Sequence, residues 1–183
     1  MPSKVSDVIK HDHRELEEYY DKMVKASDDD ERERYQNAFT WELTRHSIGE
    51  EIVVYPAMEE HVPGGKAMAE KDRAEHREVK ELLAKFQELP ASSPAFMPTL
   101  RQLFGNLKKH MEEEESEDLP ALDKSLSADD SASLAASFER TKMFVPTRSH
   151  PSAPDRPPFE TVVGLMTAPI DKVMDAFRKF PKD

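Results

Sequence analysis

The 183-residue chain contains no cysteine. That absence excludes disulfides, thiolate-held zinc, iron–sulfur clusters and cysteine nucleophiles together, so any metal must be held by His, Asp or Glu. Basic side chains are outnumbered by acidic ones, 26 to 37, and the formal net charge is −11. This balance argues against a nucleic-acid surface and for a well-solvated exterior. No stretch approaches the roughly 18 apolar residues of a membrane span, and the opening Met1-Pro2-Ser3-Lys4-Val5-Ser6-Asp7 lacks the apolar core of a signal peptide. We therefore expect a cytoplasmic protein with no nucleic-acid or membrane partner. Its length suits one domain with a core of its own plus an appendage.

What is present is amphipathic helix. The spacing predicts a first helix over about Ser3 to Ala26 with a seam through Val5, Ile9, His13, Leu16, Tyr20 and Met23. Ser27-Asp28-Asp29-Asp30 reads as a turn and N-cap. A second helix over about Asp30 to His61 carries Phe39, Leu43, His46, Glu50, Val53 and Ala57 at alternating steps of four and three, and Pro56 should kink or end it locally. After Val62-Pro63-Gly64-Gly65, a third helix to about Leu89 carries Asp72, His76, Val79, Leu83 and Phe86 on its face. A fourth follows Pro90-Ala91-Ser92-Ser93-Pro94, with Phe96, Leu100, Leu103, Leu107, His110 and Glu114. Four long helices with short connections predict an all-α, antiparallel up-and-down four-helix bundle over residues 1–120. Residues 121–183 form an extension. It should contain a short helix over about Ala128 to Met143, a Pro-rich arm from Pro146 to Pro169, and a last short helix bearing Ile170, Val173, Phe177 and Phe180. That helix and Phe159, Val162, Val163, Leu165 and Met166 carry enough apolar surface to demand burial, so the arm is expected to wrap back on the bundle. Docking on a second subunit is the alternative, and we expect a monomer ahead of a homodimer.

The seams put imidazoles and carboxylates where leucine belongs, which is costly unless they are paired or hold a metal. In an up-and-down bundle, residues on neighbouring helices share a depth when their sequence midpoint falls in the connecting turn. Between His13 and His46 the midpoint falls between Asp29 and Asp30; between His46 and His76 it is His61; between His76 and His110 it is Ser93. Each lies in or beside a predicted turn, so His13, His46, Glu50, His76, His110 and Glu114 can converge on one layer. His11, His61 and His150 fall off the seams and are assigned surface roles, as is the Glu112 to Glu115 run apart from Glu114. Imidazole and carboxylate without thiolate suit iron, zinc or manganese. A ferritin-like site would place Glu three residues before His. Lys10, Leu43, Arg73 and Leu107 stand there instead.

Ile9-Lys10-His11-Asp12-His13, the run from His46-Ser47-Ile48-Gly49-Glu50 to Pro56, Glu75-His76 and His110-Met111-Glu112-Glu113-Glu114 together resemble the hemerythrin-like, or HHE cation-binding, family over roughly residues 5–120. The resemblance implies two iron ions in an oxo- or hydroxo-bridged centre, ahead of zinc or manganese. It carries over His13, His46, Glu50, His76, His110 and Glu114 as ligands, with Glu51 as an alternative carboxylate. One departure stands out: the oxygen carriers of the family have a second histidine one turn before the third-helix ligand, where this chain has Asp72.

Two functions from different classes follow. One is a non-haem di-iron protein binding or reacting with O2, peroxide or nitric oxide, or handling iron. The other is a di-iron oxidase, oxygenase or peroxidase acting on a small organic substrate. A metal-free helical scaffold is the plain alternative to both.

Overall fold

The structure, a computed structural model, describes residues 4–150 and 159–182, with the backbone alone over 159–166. The described residues form helices and no strand. Helix α1 (Val5–Lys25) runs down one edge of the bundle. Asp28 caps the next helix by accepting a hydrogen bond from the Glu31 N–H at 2.8 Å, satisfying one of the donors a helix start leaves open.

The second rod is α2 (Asp29–Gly49), a π-helical turn (Glu50–Val54) and α3 (Tyr55–His61). The fourth repeats this plan in α5 (Phe96–Glu113), a π-helical turn (Glu114–Asp118) and α6 (Leu119–Ser125). Pro56 and Pro120 each follow a π-turn, within the first turn of the next helix. Proline offers no N–H and crowds the carbonyl four residues back, and the widened turn accommodates both defects. In it the Tyr55 N–H reaches the Glu50 carbonyl and the Leu119 N–H reaches that of Glu114, five residues back in each case. Pro56 therefore does not end the rod; the chain continues as helix through the widened turn.

The third rod, α4 (Gly65–Phe86), starts after a turn in which Gly64 takes φ 80°, a left-handed conformation that other residues adopt only at a cost. It stops three residues short of the Leu89 expected from the seam. Rods one to four pack up-and-down, each against its sequence neighbour, with the first also meeting the fourth. Two apolar clusters fill the interior, one around Leu16, Phe39, Leu83 and Phe96 and the other around Ile9, Tyr55, Met58 and Leu122. The polar seam residues occupy the layer between them.

Beyond the bundle, α7 (Ala128–Lys142) lies against α1, α2 and the first π-turn. The last helix, α8 (Phe159–Asp175), begins earlier than the expected 170 and contains Pro169, so 159–169 belongs to a helix and not to an extended arm. The apolar set Phe159, Val162, Val163, Leu165 and Met166 lies outside the described side chains. Ile170, Val173 and Phe177 are 66%, 63% and 82% exposed, contrary to the burial expected of them. The segment is held by polar contacts instead: the Asp171 carboxylate accepts from the backbone N–H groups of Thr147 and Arg148. Asn37 Nδ2 donates to the Lys179 carbonyl, and Lys179 Nζ meets Asp30 at 2.6 Å. Helical phase explains the result, because it turns Ala168 and Asp171 inward and Ile170 and Val173 outward.

Candidate metal centre

The structure brings His13, His46, Glu50, His76, His110 and Glu114 into one layer, each at most 2% exposed. His46 Nε2 stands 3.3 Å from Glu50 Oε1, and His76 Nε2 stands 3.4 Å from Glu50 Oε2, so the two oxygens of one carboxylate face two histidines. His13 Nε2 is 3.3 Å from Glu114 Oε2. His76 Nε2 and His110 Nε2 are 3.1 Å apart. Donor atoms of His13, His46 and Glu50 fall within 4.8 Å of one another, as do those of Glu50, His76 and His110. Glu50 belongs to both groups.

Each imidazole turns its other nitrogen outward onto a carboxylate. His46 Nδ1 donates to Asp12 Oδ2 at 3.1 Å, His76 Nδ1 to Glu51 Oε1 at 3.1 Å, His110 Nδ1 to Glu75 Oε2 at 2.8 Å and His13 Nδ1 to Glu115 Oε1 at 2.9 Å. The four contacts close a ring, in which the first rod serves the second, the second the third, the third the fourth and the fourth the first. An ionised carboxylate only accepts, so each contact places a proton on Nδ1 and leaves Nε2 as the nitrogen that faces the centre. Cations back three of the four: Lys142 on Asp12, Lys80 on Glu51 and Arg14 on Glu115.

These partners correct two assignments. Glu51 does not face the centre as an alternative to Glu50; it supports His76. Glu115 is not part of a solvated face. Each of the four carboxylates sits directly beside a seam residue in sequence (Asp12 by His13, Glu51 by Glu50, Glu75 by His76, Glu115 by Glu114), and that adjacency is the signal that could have found them. Tyr55, assigned no role of its own from the sequence, is fully buried and donates its hydroxyl to His76 Nε2 at 2.9 Å. Asp72 is also buried at the layer, grouped with Glu75 and His110, and its Oδ2 has no hydrogen-bond partner. His11 and His61 are on the surface as expected. His150 is not simply a surface group, since it pairs with Asp171 at 3.0 Å and ties the extension together.

The donor set fits a cation. Both oxygens of Glu50 and both of Glu114 are buried without a hydrogen-bond partner, as is His13 Nε2, a grouping that is costly without positive charge. Protons compensate in part. Burial and the neighbouring Glu114 carboxylate push the Glu50 carboxyl well above its ordinary range. For Glu114 burial acts in the same direction, but His13, His110 and His46 outweigh it and hold the carboxyl below that range. His13 is raised to about 9: burial opposes its charge, and Glu114 and Glu115 overcome the opposition. Burial lowers His46 and His76. Asp72 is pushed up to about 8 by burial, Asp118 and Glu114.

The fold and the donor set define a helical bundle built around a candidate cation centre. The model of the hemerythrin HHE cation-binding domain matches residues 4–122, and the chain belongs to that family. It is 54% identical over 180 residues to an uncharacterized hemerythrin-like protein of Schizosaccharomyces pombe, covering 98% of this chain and 89% of that one. It is 27% identical over 144 residues to a DNA nickase of Nostoc sp., covering 79% of this chain but 40% of that protein. In fold it is similar to the crystal structure of a hemerythrin HHE cation-binding domain-containing protein of Mycobacterium kansasii, with a TM-score of 0.64 at 23% identity over 77% of this chain and 88% of that one. Among the described residues, no helix is long and apolar enough to cross a membrane.

Proposed function

We propose that this chain is a non-haem di-iron protein that reacts with O2, peroxide or nitric oxide. The carrying observation is the pair of buried carboxylates, Glu50 and Glu114, whose oxygens lack hydrogen-bond partners amid four inward-facing imidazoles. His13, His46, Glu50, His76, His110 and Glu114 would hold two ions, with Glu50 shared between them. Two ferrous ions supply one electron each to a small oxidant when bound.

The residues around the centre support reaction over reversible carriage. Asp72 stands where an oxygen carrier of the family has an imidazole. As a ligand, a carboxylate stabilises the ferric state more than imidazole does, and as a bystander it leaves a coordination position open; both favour oxidation. Tyr55 keeps its proton, because burial and the Glu50, Glu114, Asp72 and Glu51 carboxylates push its hydroxyl well above the ordinary range. It can donate that hydrogen to an oxygen atom at the centre, and peroxide needs two protons with its two electrons to become water. A cleft of about 150 Å³, lined by Glu75, Glu78, Gly105, Asn106, Lys109 and His110, lies against this half of the site. It is below the several hundred Å³ usual for organic ligands, which favours a small oxidant over an organic substrate. The nickase relative raises DNA as a target, but a net charge of −11 is a poor match for a phosphate backbone.

The test is stopped-flow absorbance after mixing anaerobic, ferrous-loaded protein with O2 and, separately, with peroxide. Prompt conversion to the ferric state is the expected result. A long-lived oxygenated spectrum that is discharged intact when O2 is removed would return the protein to the carriers.

A further inference from the structure

The helix α7 begins after the family match ends at residue 122, yet it reaches the first half of the centre. Phe138 and Lys142 lie four residues apart on one helical face, and both are buried, Lys142 at 4% exposure. The Phe138 ring meets His46 edge-on with centroids 5.9 Å apart. Close approach depends on Gly49: a Cβ there would stand 2.8 Å from the Phe138 ring and 3.5 Å from Lys142 Cγ. Lys142 Nζ donates to Asp12 Oδ2 at 2.5 Å and to Glu42 Oε1 at 2.6 Å. Asp12 Oδ2 is the same oxygen that accepts from His46 Nδ1.

We propose that Lys142 is a positioning residue of the metal centre, fixing through Asp12 the tautomer and orientation of His46, so that an element outside the matched domain completes the site. Asp12 and, through it, His46 depend on its charge. Without it, Asp12 loses its lysine, whereas Glu42 keeps Arg45 at 3.0 Å. Asp12 Oδ2 is then no longer held by Nζ, its carboxylate is free to turn, and a displaced Asp12 no longer specifies which nitrogen of His46 carries hydrogen. With Lys142 in place, Asp12 only accepts, the hydrogen stays on Nδ1, and Nε2 faces Glu50 as a lone pair. Lys80 behind Glu51 plays the corresponding part for His76 from within the bundle; for His46 that part falls to the extension.

The inference rests on the metal reading for its consequence, but its first test does not. Long-range 1H–15N NMR of the metal-free, full-length protein reads the His46 tautomer directly. The wild type and Lys142→Arg should show His46 with hydrogen on Nδ1, whereas Lys142→Met should show a mixture or the other tautomer. The second test is iron binding against a competing chelator. Lys142→Met should weaken one of two ions by about 10–100-fold, the usual effect of losing an outer partner, and Lys142→Arg should recover most of that. Should Lys142→Met fail to fold, Lys142→Ala, which removes charge and donor together and lets water reach Glu42, carries the same expectations. An unchanged His46 tautomer and unchanged affinity for both ions in folded Lys142→Met or Lys142→Ala would overturn the inference. A tautomer change in a protein whose wild type binds no iron would sink the metal reading and leave the Lys142 to His46 coupling standing.

Discussion

The two halves of the candidate centre are built from the same parts and finished differently. His13 and His46 come from the first two rods, and α7 covers their side, with the Phe138 ring on His46 and Lys142 on the carboxylate behind it. His76 and His110 come from the last two rods. Their side holds Tyr55, whose hydroxyl reaches into the layer, Asp72 with an unpartnered oxygen, and a small cleft against His110. Behind His46, Asp12 pairs with Lys142, and Glu42 with Lys142 and Arg45, which suits a position built for rigidity. The other half keeps proton donors and unpartnered oxygens, which suit a position where something exchanges. On the proposed reading, one half would hold and the other would react.

The largest effects should come from groups the halves share or own outright. Glu50→Ala should abolish tight binding of both ions, because Glu50 faces the histidines of both halves. His46→Ala and His110→Ala should each cost about one of two ions, while His61→Ala should cost none. Metal analysis after reconstitution checks all four, and equal losses from the three histidine variants would mean that the layer is misassigned.

The second prediction separates holding from reacting. Tyr55→Phe should keep the full iron content and slow peroxide consumption by about 100-fold, the low end of the range for losing a general acid. Asp72→His should instead lengthen the life of any oxygenated form. Stopped-flow absorbance distinguishes the two, and a Tyr55→Phe protein that loses iron would assign the phenol to holding.

The smallest expected effect is on stability against pH. Without metal, His13 (about 9 folded, 6.5 ordinarily) and Asp72 (about 8 folded, 3.8 ordinarily) bind protons more tightly in the folded chain, and Glu50 is shifted the same way. A raised folded pKa contributes stability below the unfolded value and loses it as pH rises through the folded one. The metal-free protein should therefore lose stability between pH 6.5 and 9, with His13 alone contributing on the order of 3 kcal/mol. Bound iron displaces those protons, so the loaded protein should show no such decline. Chemical denaturation across that window, with and without iron, reads the difference.

Much of this was legible in the chain. The seam spacings with proline- and glycine-bearing turns locate the rods and the six inner residues, because helical period and turn chemistry act locally. Asp12, Glu51, Glu75 and Glu115 carried only the faint signal of standing beside a seam residue, since each serves a histidine on another rod. Their role depends on which rods are neighbours. The π-turns escaped notice because proline shows only that a regular helix is interrupted, not that it widens and continues. Lys142 gave no signal at all: its partners are 130 and 100 residues away in sequence. The tail misled in the other direction, for the period of Ile170, Val173 and Phe177 marks an apolar face without saying that the face is covered.

The most direct measurement is a Mössbauer spectrum of the full chain reconstituted anaerobically with isotopically enriched ferrous iron. Two irons per chain, giving two quadrupole doublets of equal area, are the predicted result, because His46 with its lysine-backed Asp12 and His76 beside Tyr55 offer different surroundings. One iron or none per chain, or a single doublet from two equivalent irons, would contradict the account.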